Sequence, residues 1–273
     1  MPPPRLRRRG RVPRRAIPRR KAGTEQGYFS PAPPRVLAHR GLAIDAPENT
    51  LLAFAKALAA GVTHLETDVH ASADGVAILS HDPDLFRLTG RHVRIDQLTA
   101  AELARIDLGE GQSFATLAAA LEAFPDARFN IDVKAAAAAV PTIEAIRKAA
   151  AEHRVLIGSF SNARRLAVVR KLPGVATSVS SRGAVIATWA GAIRLRALTR
   201  WALRGVQAVQ LPERILGVRT TSPRVIAAYH SARVEVHIWT INDPAVMNRL
   251  LDAGVDGIVS DRADLALEVL ARR

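Results

Sequence analysis

The chain has 273 residues, 48% hydrophobic and 23% charged, which suffices for one large core and is close to the usual size of a single barrel. It contains no cysteine, which excludes disulfides, thiolate metal centres and cysteine nucleophiles and suits a reducing compartment. The net charge of +14 is concentrated at one end: residues 1–34 hold nine arginines and Lys21 against Glu25 alone.

Those first 34 residues are also rich in proline and poor in apolar side chains. Such a segment cannot bury enough surface to offset the entropy of ordering, so a disordered tail is expected. No apolar run follows the arginines, which argues against a secretory signal and for a cytoplasmic location. The tail's chemistry suits an electrostatic arm for anionic lipid, which would make the protein membrane-peripheral, or for nucleic acid without naming a specific one, or it serves solubility only. Oligomeric state is not set by anything in the sequence.

Residues 36–38 form a short apolar strand that ends in His39-Arg40-Gly41. This places an acid/base group beside an arginine fork suited to phosphate or carboxylate oxygens. Pro47-Glu48-Asn49-Thr50 then supplies a turn and a capping hydroxyl for a helix over 50–60, closed by Gly61. Glu48 is placed to bond Arg40 or a substrate hydroxyl, or simply to favour the helix N-terminus. In the strand predicted over 63–70, Leu65, Thr67 and Val69 face one way and Glu66, Asp68 and His70 the other. Two carboxylates on one face of an apolar strand call for compensating positive charge, and their all-oxygen character suits a hard divalent ion, Mg²⁺ or Ca²⁺.

The turn at Ala73-Asp74-Gly75 makes the next strand, 76–80, a hairpin partner that delivers His81 to the same end. A capped turn at 99–102 and a helix over 114–124 precede the strand 128–134, where Asp132 and Lys134 share a face. Thereafter helices over 141–152, 163–172, 223–231 and 244–253 alternate with strands over 155–159, 175–179, 208–211, 234–240 and 257–260, and a final helix runs to 272. Ser159-Phe160 sits at one strand tip, and Trp239 near another. Residues 182–206 read as a basic amphipathic helix that packs on the barrel, or as an interfacial membrane contact; its apolar run is about half a bilayer span. Short crossovers between parallel apolar strands argue for one closed barrel over 35–273 and no second domain.

His39-Arg40-Gly41, Ala46-Pro47-Glu48-Asn49-Thr50, Glu66-Thr67-Asp68, His81-Asp82 and Asp132-Val133-Lys134, in that order, resemble the glycerophosphodiester phosphodiesterase family. The likeness runs from about residue 36 to the end, through His237-Ile238-Trp239-Thr240 and the stretch 254–261. No single motif is specific; the ordered set is. The resemblance implies a (β/α)₈ TIM barrel of the α/β class, with a divalent cation held by Glu66, Asp68 and Asp132. It also implies His39 and His81 as the acid/base pair, and Arg40 and Lys134 on the phosphate of a small glycerophosphodiester. Phe160 matches the family's Ser-Phe pair, and Trp239 is expected under the glycerol side of the pocket. The family usually has glutamate where this chain has Asp132, one methylene shorter. His70 matches no catalytic position, and His64, His92, His153, His230 and His237 read as structural or solvated. The expected reaction is hydrolysis to glycerol 3-phosphate and an alcohol; the alternative is a phospholipase D-like action on lysophospholipids or other membrane lipids. A non-enzymatic anion-binding protein would leave the carboxylate and histidine sets unexplained.

Overall fold

The computed structural model describes residues 27–273. In chain order the elements begin with β1 (Arg35–Ala38), α1 (Leu51–Ala59), β2 (His64–Ala71) and β3 (Ala77–Leu79). Next come α2 (Phe86–Thr89), α3 (Ala100–Leu103), α4 (Leu117–Ala123), β4 (Arg128–Val133), α5 (Ala139–Lys148) and β5 (Val155–Gly158). Then follow α6 (Asn162–Val169), β6 (Ala176–Thr177), α7 (Ser181–Ala192), α8 (Arg196–Ala202) and β7 (Ala208–Leu211). The chain finishes with the hairpin β8 (Arg214–Ile215) and β9 (Val218–Arg219), α9 (Pro223–Ser231), β10 (Glu235–Ile238), α10 (Pro244–Asp252), β11 (Gly257–Ser260) and α11 (Ala263–Ala271).

Eight parallel strands lie in the order β6, β5, β4, β2, β1, β11, β10, β7, and β3 adds to β2 as the antiparallel arm of the expected hairpin. A bridge between Ser178 and Ala208 joins β6 to β7 and closes the TIM barrel. The strands are short and apolar, and β1, β2, β5 and β11 are buried at every position, as parallel strands covered on both faces must be. Helix starts are written locally: Thr50 and Thr116 accept from the N–H groups of Ala53 and Ala119 (3.2 and 3.0 Å), and proline opens α9 and α10. The main core lies between barrel and helices, with Phe54 edge-on to Phe129 at 5.8 Å. A satellite core of Ile78, Leu85, Ile95, Leu103, Ile106 and Phe114 supports the long excursion after β3 and with it His81. Among the described residues no helix is long and apolar enough to cross a membrane.

Three features depart from the sequence expectations. The sequence places residues 27–34 in the disordered tail, but 27–30 pack under the barrel while 31–34 stay exposed: Tyr28 is 2% exposed against Leu156, Ala176 and Ala208, and its N–H donates to the His153 carbonyl at 2.9 Å. Arg35 binds this strap, its Nη2 donating to the Phe29 carbonyl (2.8 Å) and its Nη1 to that of Pro31, while Nε and Nη2 also pair with Glu235. An aromatic pair at 28–29 thus outweighs the polar composition around it. Residues 1–26, the rest of that expected tail, lie outside the described residues.

The stretch 182–206 is two helices, not one, broken where Arg194 adopts φ 66°. α7 does pack on the barrel side, burying Ala184, Ala187, Thr188 and Gly191, with Thr188 and Tyr229 sharing a 2.7 Å hydroxyl contact. Finally, β8 and β9 form an unexpected hairpin whose turn holds Leu216 and Gly217 at φ 45° and 83°.

Candidate active site

The strand register assembles the site. Ala38 pairs with Ser260, so the residues that follow each strand, His39 and Asp261, meet: Nδ1–H of His39 donates to Oδ1 of Asp261 at 2.6 Å. Gly41 turns the chain at φ 86°, and a Cβ there would lie 2.7 Å from the Ala53 carbonyl carbon, so only glycine lets the loop settle on α1. Asp68 pairs in register with Asp132, and Glu66 with Asn130, which sets the acidic groups of β2 and β4 side by side. Thr67 points to the other face, donating to Asn49 at 2.7 Å.

These groups open into one cavity of about 360 Å³ at the C-terminal ends of the strands. His39, Arg40, Glu66, Asp68, His81, Asp132, Lys134, Phe160 and Trp239, all expected site residues, line it. Glu48 does not; it stands behind, accepting from Arg40 at 3.0 Å and from Arg87 at 2.6 Å. The opposite wall is apolar, with Val179, Val185, Leu211 and Ile215 completing a surface begun by Phe160 and Trp239, whose rings meet edge-on at 6.1 Å.

Both cationic side chains are engaged with carboxylates. Lys134 Nζ lies 2.9 Å from Asp68 and 2.8 Å from Asp132, and Arg40 Nε lies 3.3 Å from Asp68 without hydrogen-bond alignment. Burial works against the Lys134 ammonium, but Asp68 and Asp132 outweigh it and hold its pKa above the ordinary lysine value. Burial, with Asp68 alongside, pushes the Glu66 carboxyl well above the usual carboxylate range. For His39, burial disfavours the cation, yet the Asp261 hydrogen bond and the Glu66 charge raise its pKa overall.

His81 is held as His39 is: its Nδ1 lies 2.7 Å from Asp82 Oδ1, and Asp82 accepts in turn from Arg87. Each imidazole therefore has its Nδ1 anchored by a carboxylate, and each Nε2 lacks a hydrogen-bond partner among the described residues. The sequence reading missed Asp261, Arg87 and Asn49 as parts of this site and gave Asp82 no role. Asp82 follows His81 directly, and Asp261 could have been found from barrel closure, because the last strand must neighbour the first. Asn49, which donates to Asp68 at 3.3 Å, carried no signal beyond its turn.

Glu66, Asp68 and Asp132 offer hard oxygen donors. Asp132 Oδ1 is buried without a partner, as is Asn130 Oδ1 beside it, so acceptor capacity is left over at the cavity floor. Among the described residues no three acidic or histidine side chains stand close enough to enclose an ion, and the Lys134 ammonium lies between Asp68 and Asp132. The donor chemistry fits a hard divalent cation, with Lys134 the group that must yield room.

Comparison with known proteins bears on this site. The glycerophosphoryl diester phosphodiesterase family model matches residues 39–265. A Mycobacterium tuberculosis protein named probable glycerophosphodiester phosphodiesterase 2 is 42% identical over 240 residues, 87% of this chain and 90% of that one. The crystal structure of a Thermotoga maritima glycerophosphodiester phosphodiesterase superposes with a TM-score of 0.69 at 27% identity, over 86% of this chain and 97% of its own. An Oleispira antarctica phosphodiesterase, solved with the product sn-glycerol-3-phosphate, shares the fold at a TM-score of 0.71 and 24% identity, over 88% of this chain and 97% of that one.

Proposed function

The chain belongs to the glycerophosphoryl diester phosphodiesterase family and is a phosphoric diester hydrolase, and from that premise we propose that it cleaves glycerophosphodiesters to glycerol 3-phosphate and an alcohol with His39 and His81 as its acid/base pair. The observation that carries the assignment is the matched anchoring of the two imidazoles, each held through Nδ1 by a carboxylate and facing one cavity with no hydrogen bond on Nε2, that of His39 lying 3.9 Å from Glu66 Oε2. The catalytic unit is the barrel of residues 35–273, to which residues 27–34 belong as a strap.

Arg40 and Lys134 flank the phosphate and offset charge on its nonbridging oxygens. Asp68, Glu48 and Asp132 keep both cations at the cavity floor, so they need not be gathered during the reaction. One imidazole takes the proton through Nε2 as the new P–O bond forms, either from water attacking directly or from a neighbouring substrate hydroxyl whose cyclic phosphate water then opens. The other gives its Nε2 proton to the departing alkoxide as the old P–O bond breaks, so that diester and water become phosphomonoester and alcohol. With Nδ1–H donated to its aspartate, the neutral imidazole presents a bare Nε2 for the base step, while the imidazolium that acts as acid carries a proton on each nitrogen and is stabilised by the carboxylate on Nδ1. A divalent cation held by Glu66, Asp68 and Asp132 would supply Lewis-acid polarisation of a phosphoryl oxygen. Phe160 and Trp239 form the wall against which the carbon skeleton packs.

His39→Ala and His81→Ala should each lower turnover about 10²-fold or more with KM little changed, the cost of losing a general acid or base. The double variant should be far less than multiplicatively worse, because the two act in one relay. A nitrophenyl phosphodiester needs no proton on departure, so it should rescue only the variant lacking the acid. Removal of either histidine with unchanged turnover on the natural diester would falsify the assignment.

A second reading, hydrolysis of lysophospholipids, draws support from the apolar wall of Val179, Val185, Leu211 and Ile215, which offers more apolar surface than a small diester needs. Side-by-side assays of a glycerophosphodiester and a lysophospholipid decide between them.

A further inference from the structure

Away from the cavity, the α7–α8 corner exposes an unusual combination of side chains. Residues 193–198, Ile-Arg-Leu-Arg-Ala-Leu, are exposed without a break, with Ile193 61% and Leu195 50% accessible. Trp189 on α7 and Trp201 on α8, 64% accessible, extend the apolar surface on either side. Packing inside the protein does not use this face, since α7 turns Ala184, Ala187 and Thr188 inward. Arg194, Arg196, Arg200 and Arg204 are interleaved with it, exposed and without an ion pair among the described residues.

Charge is segregated in the same sense. No aspartate or glutamate occurs from residue 153 to 212, and the segment 153–234 holds fourteen arginines and lysines against Glu213 alone. The rest of 35–273 carries fifteen basic and twenty-three acidic side chains. One side of the barrel is therefore strongly positive and the other negative.

We infer that the α7–α8 face docks on an anionic phospholipid surface. Interfacial tryptophans, aliphatic side chains and arginines on short helices are what a headgroup boundary accepts, the rings and aliphatics entering the acyl edge while the guanidiniums meet phosphates. Both helices are far too short to span a bilayer, so the contact is a surface one. A nucleic acid would use the arginines but leave Ile193, Leu195 and Leu198 in water. Docking also has a direction: Val185 lines the cavity and Trp189 lies one turn further along the same face of α7, so a continuous apolar track runs from membrane contact to active-site wall. The surface itself does not rest on the catalytic reading, because binding is measured without turnover.

The basic N-terminal residues could bind the same vesicles, so the test must locate the contact. The full chain carrying Trp239→Phe keeps tryptophan only at 189 and 201. Its emission should shift to the blue, and be quenched by lipids brominated near the headgroup, on adding vesicles of phosphatidylcholine with about one part in three phosphatidylglycerol, and not with phosphatidylcholine alone. Arg196→Ala, Arg200→Ala and Arg204→Ala combined should weaken partitioning about a hundredfold, since each surface arginine contributes about fivefold. The triple variant should keep its melting temperature and its turnover of a soluble diester, which separates lost docking from lost folding. Co-sedimentation with no emission change would assign binding to the N-terminal residues and overturn the inference. So would an equal shift with RNA, or a shift on raising protein concentration without lipid, which would identify a second copy as the occupant.

Discussion

Tyr28→Phe and Tyr28→Ala should move stability in opposite directions. The ring is sealed under the barrel, 2% exposed, edge-on to Phe29 at 5.0 Å and to His64 at 5.2 Å. Truncating a buried aromatic to alanine costs about 3–5 kcal/mol through lost transfer energy and the cavity left behind. The Tyr28 hydroxyl, however, is buried with no hydrogen-bond partner, and an unsatisfied buried group costs about 1–3 kcal/mol. Phenylalanine keeps the ring and removes that cost, so it should stabilise by about 1 kcal/mol. In a domain of this size 1 kcal/mol moves the melting temperature by about 2–4 °C. Thermal unfolding of the full chain should therefore show a fall of about 10 °C for alanine and a rise of about 3 °C for phenylalanine. A chain begun at Pro34 should lose at least as much as the alanine variant, since it also strips the Phe29 and Pro31 carbonyls from Arg35. An alanine variant that melts with the parent would refute the claim that the segment around Tyr28 belongs to the fold, and a phenylalanine variant that melts well below the parent would refute the claim that the hydroxyl is unsatisfied.

Acid stability should respond to His64, which burial lowers to about 3 despite its Nε2–H donating to the Tyr28 carbonyl at 2.7 Å. The unfolded chain takes up that proton first, so the stability from neutral His64 is complete above about 6.5 and is lost as pH falls toward 3, on the order of 5 kcal/mol in all. His64→Asn should flatten the dependence of the urea midpoint on pH across that window; an unchanged slope would show that other groups set it. Asp261→Asn and Asp82→Asn should each lower turnover about tenfold or more with little change in KM, by loosening the imidazole and its tautomer, and steady-state kinetics equal to the parent's would remove both residues from the mechanism. Chelation should abolish turnover and Mg²⁺ or Ca²⁺ restore it, with Asp132→Glu changing the metal concentration required; full activity in excess chelator would leave the three carboxylates without that task.

The barrel was legible because its strands are apolar runs bounded by turns, and because period-two alternation put Glu66 and Asp68 on one face. The polar half of the site was legible for the same reason: its residues follow strand ends, and strand ends converge in a closed barrel. What escaped the sequence was whatever depends on neighbours distant in the chain. Asp261 meets His39 only because β11 lies beside β1, and Glu48 meets Arg87 only through the loop after β3. Tyr28 was lost in a window average, since two aromatic residues cannot lift the mean of a segment dominated by arginine and proline. The break between α7 and α8 was hidden because arginine at a positive φ leaves no mark in the sequence.

The contact between His39 and Asp261 joins residues 222 positions apart, across the seam where the last strand meets the first. A ribosome releasing this chain has therefore exposed His39, Glu66, Asp68, His81 and Asp132 long before the partner of the first histidine exists. Until β11 slides in beside β1, that imidazole has no carboxylate to hold it, and a chain that ends early carries nearly all the chemistry with none of its final alignment. Turnover thus becomes a readout of completion: nicked, frayed or prematurely terminated molecules should be poor catalysts even where the other side chains of the cavity are in place. Seam closure of this long-range kind is also slow to search, so newly made protein should acquire activity after, and more slowly than, it acquires helix.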